Sequence, residues 1–267
     1  AFSIPATVTG IVLVIIGALV IVGGLKRIAA VTEKLVPFMA IAYVIGALVI
    51  FFANIGHVGA VFTAIFKGAF GLRAVGGGIV GSGVKLALTW GMKRGVFSNE
   101  AGLGTAPMAH AAATSASPLV QASIGMLDTF IDTIIVCTMT GFAILVTGEW
   151  TAVGAQGASL TARAFETALP GVGSAIVAIS LVMFAFTTIL GWCVYGERSA
   201  IFLFGDRVLK PFRILYTIVV PIGALAQLDL VWILADTFNA LMAFPNLIGV
   251  LLLSPVVFKT VQESTRP

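Results

Sequence analysis

A short polar stretch, Phe97-Ser98-Asn99-Glu100, interrupts a long apolar segment. Gly102 and Gly104 follow it, and Pro107 comes soon after. Glycine permits left-handed backbone angles and proline lacks an N–H donor, so we expect a helix to break here. A break exposes backbone N–H and C=O groups, which can bind a small zwitterion or a cation. The alternative is a simple kink whose serine and asparagine side chains bond neighbouring helices.

Three charged residues accompany this stretch. Lys93 and Arg94 precede it, and Glu100 ends it. Charges in a bilayer are costly, and they are commonly functional or paired with one another. Glu100 could therefore contact a ligand, or pair with Lys93 or Arg94 as a structural gate.

Asp128 and Asp132 lie four residues apart, on one face of a predicted helix. Like charges at this spacing repel, so at least one should be protonated, paired or bound to a cation. A coupling or helix-pairing role is one interpretation. Structural pairing, for instance with Lys85, is the alternative for both.

Two adjacent hydroxyls, Thr187 and Thr188, lie within the apolar sequence LVMFAFTTILGW. Hydroxyl oxygens suit a hard cation such as Na⁺. The alternative is that each threonine hydrogen-bonds to a carbonyl of its own helix.

The whole chain is apolar enough to place these groups in a membrane. Of its 267 residues, 59% are hydrophobic and 10% are charged, and the mean hydropathy is +1.11. A soluble domain usually carries about 25% charged residues. The composition therefore predicts an all-α, multi-spanning membrane protein, and it argues against a nucleic-acid-binding role despite a pI near 9.3.

Apolar runs of spanning length predict seven transmembrane segments, with boundaries good to a few residues. They are Val8–Gly24, Leu35–Phe52, Gly81–Ala113 with an interruption, Gln121–Thr147, Val172–Val194, Ile214–Leu228 and Leu230–Phe258. Two shorter stretches, Val58–Gly71 and Leu160–Leu169, mix apolar and charged residues. We expect them to lie at the interface or to re-enter partway.

Other classes of membrane protein fit the sequence less well. A seven-helix receptor or light-driven pump is suggested by the span count, but a retinal pigment needs a lysine deep in its last helix, and Leu230–Phe258 contains none. A channel is the further alternative, although no filter-like repeat or charged ring is present. An enzyme is not expected, because no cluster of His, Asp and Glu suggests a metal or a triad. Cys137 and Cys193 lie in apolar runs, which favours packing roles.

Three strings together resemble a known family. GVFSNEAGLGTAP (Gly95–Pro107), FIDTIIVCT (Phe130–Thr138) and FAFTTI (Phe184–Ile189) are similar to the alanine or glycine:cation symporters. The resemblance covers essentially the whole chain. It implies a leucine-transporter-type inverted-repeat fold and Na⁺-coupled symport of alanine, glycine or a similar neutral amino acid by alternating access. It also implies Na⁺ as the coupling ion, no organic cofactor, no nucleic-acid partner, and a multi-pass location in the inner or plasma membrane.

The resemblance also assigns parts of the chain. Residues 1–56 would be the last two helices of the first repeat, 57–75 an interfacial re-entrant segment, and 76–267 the second five-helix repeat. The family's first three helices, including its other broken helix, have no counterpart here, so the chain looks like a C-terminal fragment with half of the expected site. The implied residues are Phe97, Ser98, Asn99, Gly102 and Gly104 for substrate, Thr187 and Thr188 for Na⁺, and Lys93, Arg94, Glu100 and Asp132 for gating or coupling.

Overall fold

The computed structural model describes residues 5–70, 80–100, 102–115, 117–151, 154 and 157–264. These residues form helices and connecting turns, with no strand among them. The predicted all-α class is confirmed. The α-helices are α1 (Ala6–Val22), α2 (Gly24–Ala53), α3 (Val58–Phe70), α4 (Val80–Asn99), α5 (Ala106–His110), α6 (Pro118–Phe130), α7 (Thr138–Thr147), α8 (Ala158–Ala168), α9 (Gly173–Phe204), α10 (Leu209–Leu225) and α11 (Leu228–Ser264).

Among the described residues, five helical segments are long and apolar enough to cross a membrane. They are Gly24–Ala53, Pro118–Thr147, Gly173–Phe204, Asp206–Leu225 and Leu228–Ser264. The protein is therefore a multi-pass membrane protein. The first predicted span corresponds to the 17-residue α1, and the third begins with the 20-residue α4, which carries three cations. A count of seven spans stays a prediction.

Among the helices that extend beyond their predicted apolar runs, α2 and α9 extend furthest. α2 begins at Gly24 and not near Leu35, because the intervening charged residues are good helix formers. α9 continues to Phe204, and it ends at Gly205, whose φ is +76°. The left-handed conformation of a glycine commonly ends a helix.

The chain forms two compact units. The first takes in residues up to Phe62 together with Thr138–Ala226. A cluster of buried apolar side chains from α1, α2 and α9 forms its core, with α10 packed against it: Val20, Ile21, Ile28, Phe186, Leu190, Cys193 and Val194. Arg213 donates from Nε and Nη2 to the carboxylate of Glu197, at 2.8 and 3.1 Å. This bidentate pair joins α10 to α9.

The second unit takes in Thr63–Cys137 and the chain from Gln227 onward. It contains α4, α5, α6 and α11, together with a π-helix at Ile131–Cys137 that joins α6 to α7. Single π-helical turns are rare and frequently lie at functional sites. The polar stretch at the end of α4 lies within this unit. The repeat boundaries proposed at 56 and 75 stay predictions.

Candidate functional site

The predicted break in the third span is present. α4 ends at Asn99, and left-handed φ values follow at Glu100 (+54°), Gly102 (+88°) and Gly104 (+84°). Glu100 is the one non-glycine residue with positive φ in the described part of the chain. Side chains rarely adopt this conformation, and where they do, the surroundings must stabilise it.

The helix after the break is shorter than predicted. α5 ends at His110, whereas the third span was expected to continue to Ala113. The next helix, α6, begins at Pro118, where the Ser117 hydroxyl caps the helix by accepting the N–H of Leu119 and proline occupies the first helical position. Both features favour a new helix at this point and not a continuation of α5.

Hydrogen bonds hold the loop between α4 and α5. The Thr105 hydroxyl donates to Glu100 Oε2 at 2.6 Å, and the Leu103 N–H donates to the Glu100 carbonyl at 3.0 Å. Asn246 of α11 donates from Nδ2 to the Gly102 carbonyl at 2.9 Å. Leu103 and Thr105 are 3% and 1% exposed, so the loop is folded onto its own unit.

Gly104 is required for two reasons. Its φ is positive, and a Cβ added to it would lie 2.9 Å from Asn246 Oδ1. At Gly102 the same test finds only an ordinary contact, 3.8 Å from Leu247 Cδ2. Glycine at position 102 therefore serves the backbone conformation alone, whereas at position 104 it also admits the Asn246 side chain.

The two cations before the break contact α11. Lys93 Nζ and Arg94 Nη2 lie 3.4 and 3.5 Å from Asp236 Oδ2. The Arg94 guanidinium also lies 4.0 Å from the centroid of the Trp232 ring. Their carboxylate partner in the described chain is thus Asp236, and the alternative in which Glu100 pairs with them is not what the structure shows.

The structure places Ser98 against the π-helix, which contains another predicted site residue, Asp132. Ser98 donates to Asp132 Oδ2 at 2.7 Å, and its hydroxyl lies 3.5 Å from Cys137 Sγ. Phe97 instead packs on Trp232, with the ring centroids 5.2 Å apart. A hydrogen bond therefore joins the break to the π-helix. In the sequence these two segments are separate motifs, and their contact was not predicted.

An open cavity of about 850 Å³ lies beside the break. Asn99 lines it together with mostly apolar side chains from α5, α6 and the π-helix. His110 also lines it, and Gln121 Nε2 donates to its Nδ1 at 2.6 Å. The Thr133 hydroxyl is buried, and within the described chain it has no hydrogen-bond partner. No local sequence pattern distinguishes His110, Gln121 or Thr133, so none of them is a site residue that the sequence predicts.

The two candidate Na⁺ ligands lie in the other compact unit. Thr187 is 9% exposed, and its hydroxyl donates to the carbonyls of Met183 and Phe184 at 3.1 and 3.0 Å. Thr188 is exposed, since successive helical residues point about 100° apart. Thr187 thus makes the bond to its own helix that the alternative interpretation expected, and its Na⁺ role stays a prediction.

Comparison with known proteins gives a consistent result over almost the whole chain. A sequence profile described as "Sodium:alanine symporter family" matches residues 1–266. A protein named "Sodium/alanine symporter AgcS" from Methanococcus maripaludis is 48% identical over 96% of this chain and 56% of its own length. An "Uncharacterized transporter" of Haemophilus influenzae is 47% identical over 98% of this chain and 58% of its own. The "Probable sodium/glutamine symporter GlnT" of Bacillus subtilis is 36% identical over 100% and 55%. The chain therefore spans a little over half the length of these relatives.

Proposed function

Since the chain belongs to the sodium:alanine symporter family, we propose that the full-length protein carries a small neutral amino acid together with Na⁺ across the cell membrane by alternating access. The observation that carries this proposal is the 48% identity to a protein named a sodium/alanine symporter, over 96% of the chain. The break after Asn99 supports it, because discontinuous helices hold substrates in secondary transporters.

The substrate is proposed to bind at the break. Phe97, Ser98, Asn99, Gly102 and Gly104 would form its contact surface, and Asn99 also lines the adjacent cavity. Backbone N–H groups freed at a break attract a carboxylate, and freed carbonyls attract an ammonium group or Na⁺. Glycine at the left-handed positions lets a ligand approach the main chain closely.

Asp132 is proposed to act in coupling. Its carboxylate accepts the Ser98 hydroxyl at the end of α4, so a cation or proton bound to it would alter that hydrogen bond. Binding of a cation or a proton to Asp132 would therefore affect the break through this one hydrogen bond. The distance of 2.7 Å supports a direct link between the two groups.

Thr187 and Thr188 are proposed Na⁺ ligands. A threonine hydroxyl that donates its proton to a helix carbonyl keeps its lone pairs, so Thr187 can still coordinate a cation through oxygen.

Residues 76–267 are proposed to form the second repeat, and residues 1–56 the end of the first repeat.

The test is uptake by the full-length protein in liposomes. Alanine should accumulate under an inward Na⁺ gradient, and accumulation should vanish when K⁺ replaces Na⁺ on both sides. Alanine binding without uptake would favour a receptor, and Na⁺ flux that does not depend on alanine would favour a channel. Either result would contradict symport.

A further inference from the structure

Helix α11 contacts the broken segment on both sides of the break. Before the break, Asp236 Oδ2 lies 3.4 Å from Lys93 Nζ and 3.5 Å from Arg94 Nη2. After it, Asn246 donates to the Gly102 carbonyl at 2.9 Å. These contacts link residues more than 140 positions apart in sequence, with separations of 142 to 144. One helix therefore touches both ends of the proposed substrate-binding loop.

The contact before the break combines charge and aromatic packing. Trp232 lies four residues before Asp236, on the same face of α11. Arg94 lies against both side chains, with its guanidinium 4.0 Å from the Trp232 centroid. The ion pair is long, and the side chains of Lys93 and Arg94 are 48% and 34% exposed. Because an unpaired charge within a bilayer is costly, this contact holds the end of α4 against α11.

The contact after the break is specific in shape. Asn246 directly follows Pro245, which has no N–H to donate within α11. Its amide reaches the Gly102 carbonyl while its Oδ1 occupies the space where a Cβ of Gly104 would stand. A larger residue at position 104 would displace the Asn246 side chain, so the contact between Asn246 and the loop depends on glycine at this position.

We propose that Asp236 and Asn246 are positioning residues, through which α11 sets the geometry of the break and hence its affinity for substrate. The inference rests on the proposed function at the break, and it adds two residues that do not themselves contact the substrate. Asn246 supplies the fixed contact. Asp236 supplies the charged contact.

The experiment uses the full-length protein with two independent readouts. The first is the KM and maximal rate of Na⁺-dependent alanine uptake. The second is the rate at which a thiol reagent labels Leu103→Cys, after Cys137 and Cys193 have been replaced by alanine. Leu103 is 3% exposed, so its labelling reports loosening of the loop without any transport.

Asn246→Ala is expected to raise the KM about twofold to tenfold, the range that one lost hydrogen bond accounts for, and to accelerate labelling at position 103. Asp236→Asn is expected to raise the KM in the same direction, and Asp236→Glu, which keeps the charge, should restore it. Asn239→Ala and Asp229→Asn make the same chemical changes elsewhere on α11, and they should leave both readouts as in the unaltered protein.

Unchanged KM values in Asn246→Ala and Asp236→Asn would overturn the proposal. Faster labelling with an unchanged KM would also overturn it, since α11 would then serve stability alone. If Asp236→Asn does not reach the membrane, Asn246→Ala decides between these outcomes. Absence of Na⁺-dependent uptake in the unaltered protein would instead refute the proposed function, while the labelling rates would still test whether α11 holds the loop.

Discussion

Replacing either glycine of the break by alanine separates backbone strain from side-chain crowding. Gly102 and Gly104 have nearly equal φ values, +88° and +84°. An alanine at either position pays about 1–2 kcal/mol for the left-handed conformation. Only at Gly104 does the new Cβ also meet Asn246, at 2.9 Å from Oδ1 and 3.1 Å from Cγ. We therefore expect Gly104→Ala to be more destabilising than Gly102→Ala.

The difference in stability between the two variants depends on the crowding of Asn246 and on the hydrogen bond that Asn246 would lose. Crowding in a packed site costs about 1–3 kcal/mol, part of which is the hydrogen bond to Gly102. The assay is the free energy of unfolding of the full-length protein in mild detergent, measured by denaturant titration.

Asn246→Ala provides the control for this comparison. It removes the two crowding atoms and leaves Cβ, at 3.5 Å, in ordinary contact. In its presence the two glycine variants should become equally destabilised. Equal effects of Gly102→Ala and Gly104→Ala in the otherwise unaltered protein would refute the role given to Asn246.

Three further predictions concern other parts of the chain. Thr187→Val/Thr188→Val deletes two oxygen ligands, so the Na⁺ concentration needed for half-maximal uptake should rise more than the alanine KM at saturating Na⁺; an unchanged Na⁺ dependence would leave these residues a packing role. A Cβ on Gly173 would overlap the Phe165 carbonyl, so Gly173→Ala should lower the free energy of unfolding by about 1–3 kcal/mol. Gly191→Ala, where the same helix is open, should be neutral or stabilising by up to about 1 kcal/mol, and equal effects would contradict the packing of α8 on α9. Backbone N–H groups of Ser174 and Gly171 lower the pKa of the Glu166 carboxyl from its ordinary 4.5. The stabilisation that the Glu166 carboxylate gives should be fully present above pH 4.5 and lost as the pH falls through the lower pKa of the folded state. An acid unfolding profile that is unchanged in Glu166→Gln would contradict this.

The position of the break could be predicted from sequence because its cause is local. Glycines beside a polar stretch in an apolar segment favour the end of a helix on local grounds, and α4 does end at Asn99. The partners of that stretch could not be predicted. Asp236 and Asn246 lie on a helix more than 140 residues away, in an apolar run without a polar pattern that points to the break.

The charges illustrate the same limit. Lys93 and Arg94 were expected to matter, but Glu100, the carboxylate closest to them in sequence, is bonded to Thr105 instead. Partner choice depends on tertiary packing, which spacing along one chain does not contain. The different environments of Thr187 and Thr188 could not be predicted from the sequence either, because an adjacent pair of hydroxyls does not indicate which one faces the core.

Binding of substrate at the break is tested most directly by the alanine affinity of the Asn99→Ala protein. The measurement is titration of the purified full-length protein with alanine at saturating Na⁺. Loss of one amide hydrogen bond should weaken binding about twofold to tenfold, while Asn239→Ala should bind alanine as the unaltered protein does. Unchanged alanine affinity in a folded Asn99→Ala protein would contradict the claim.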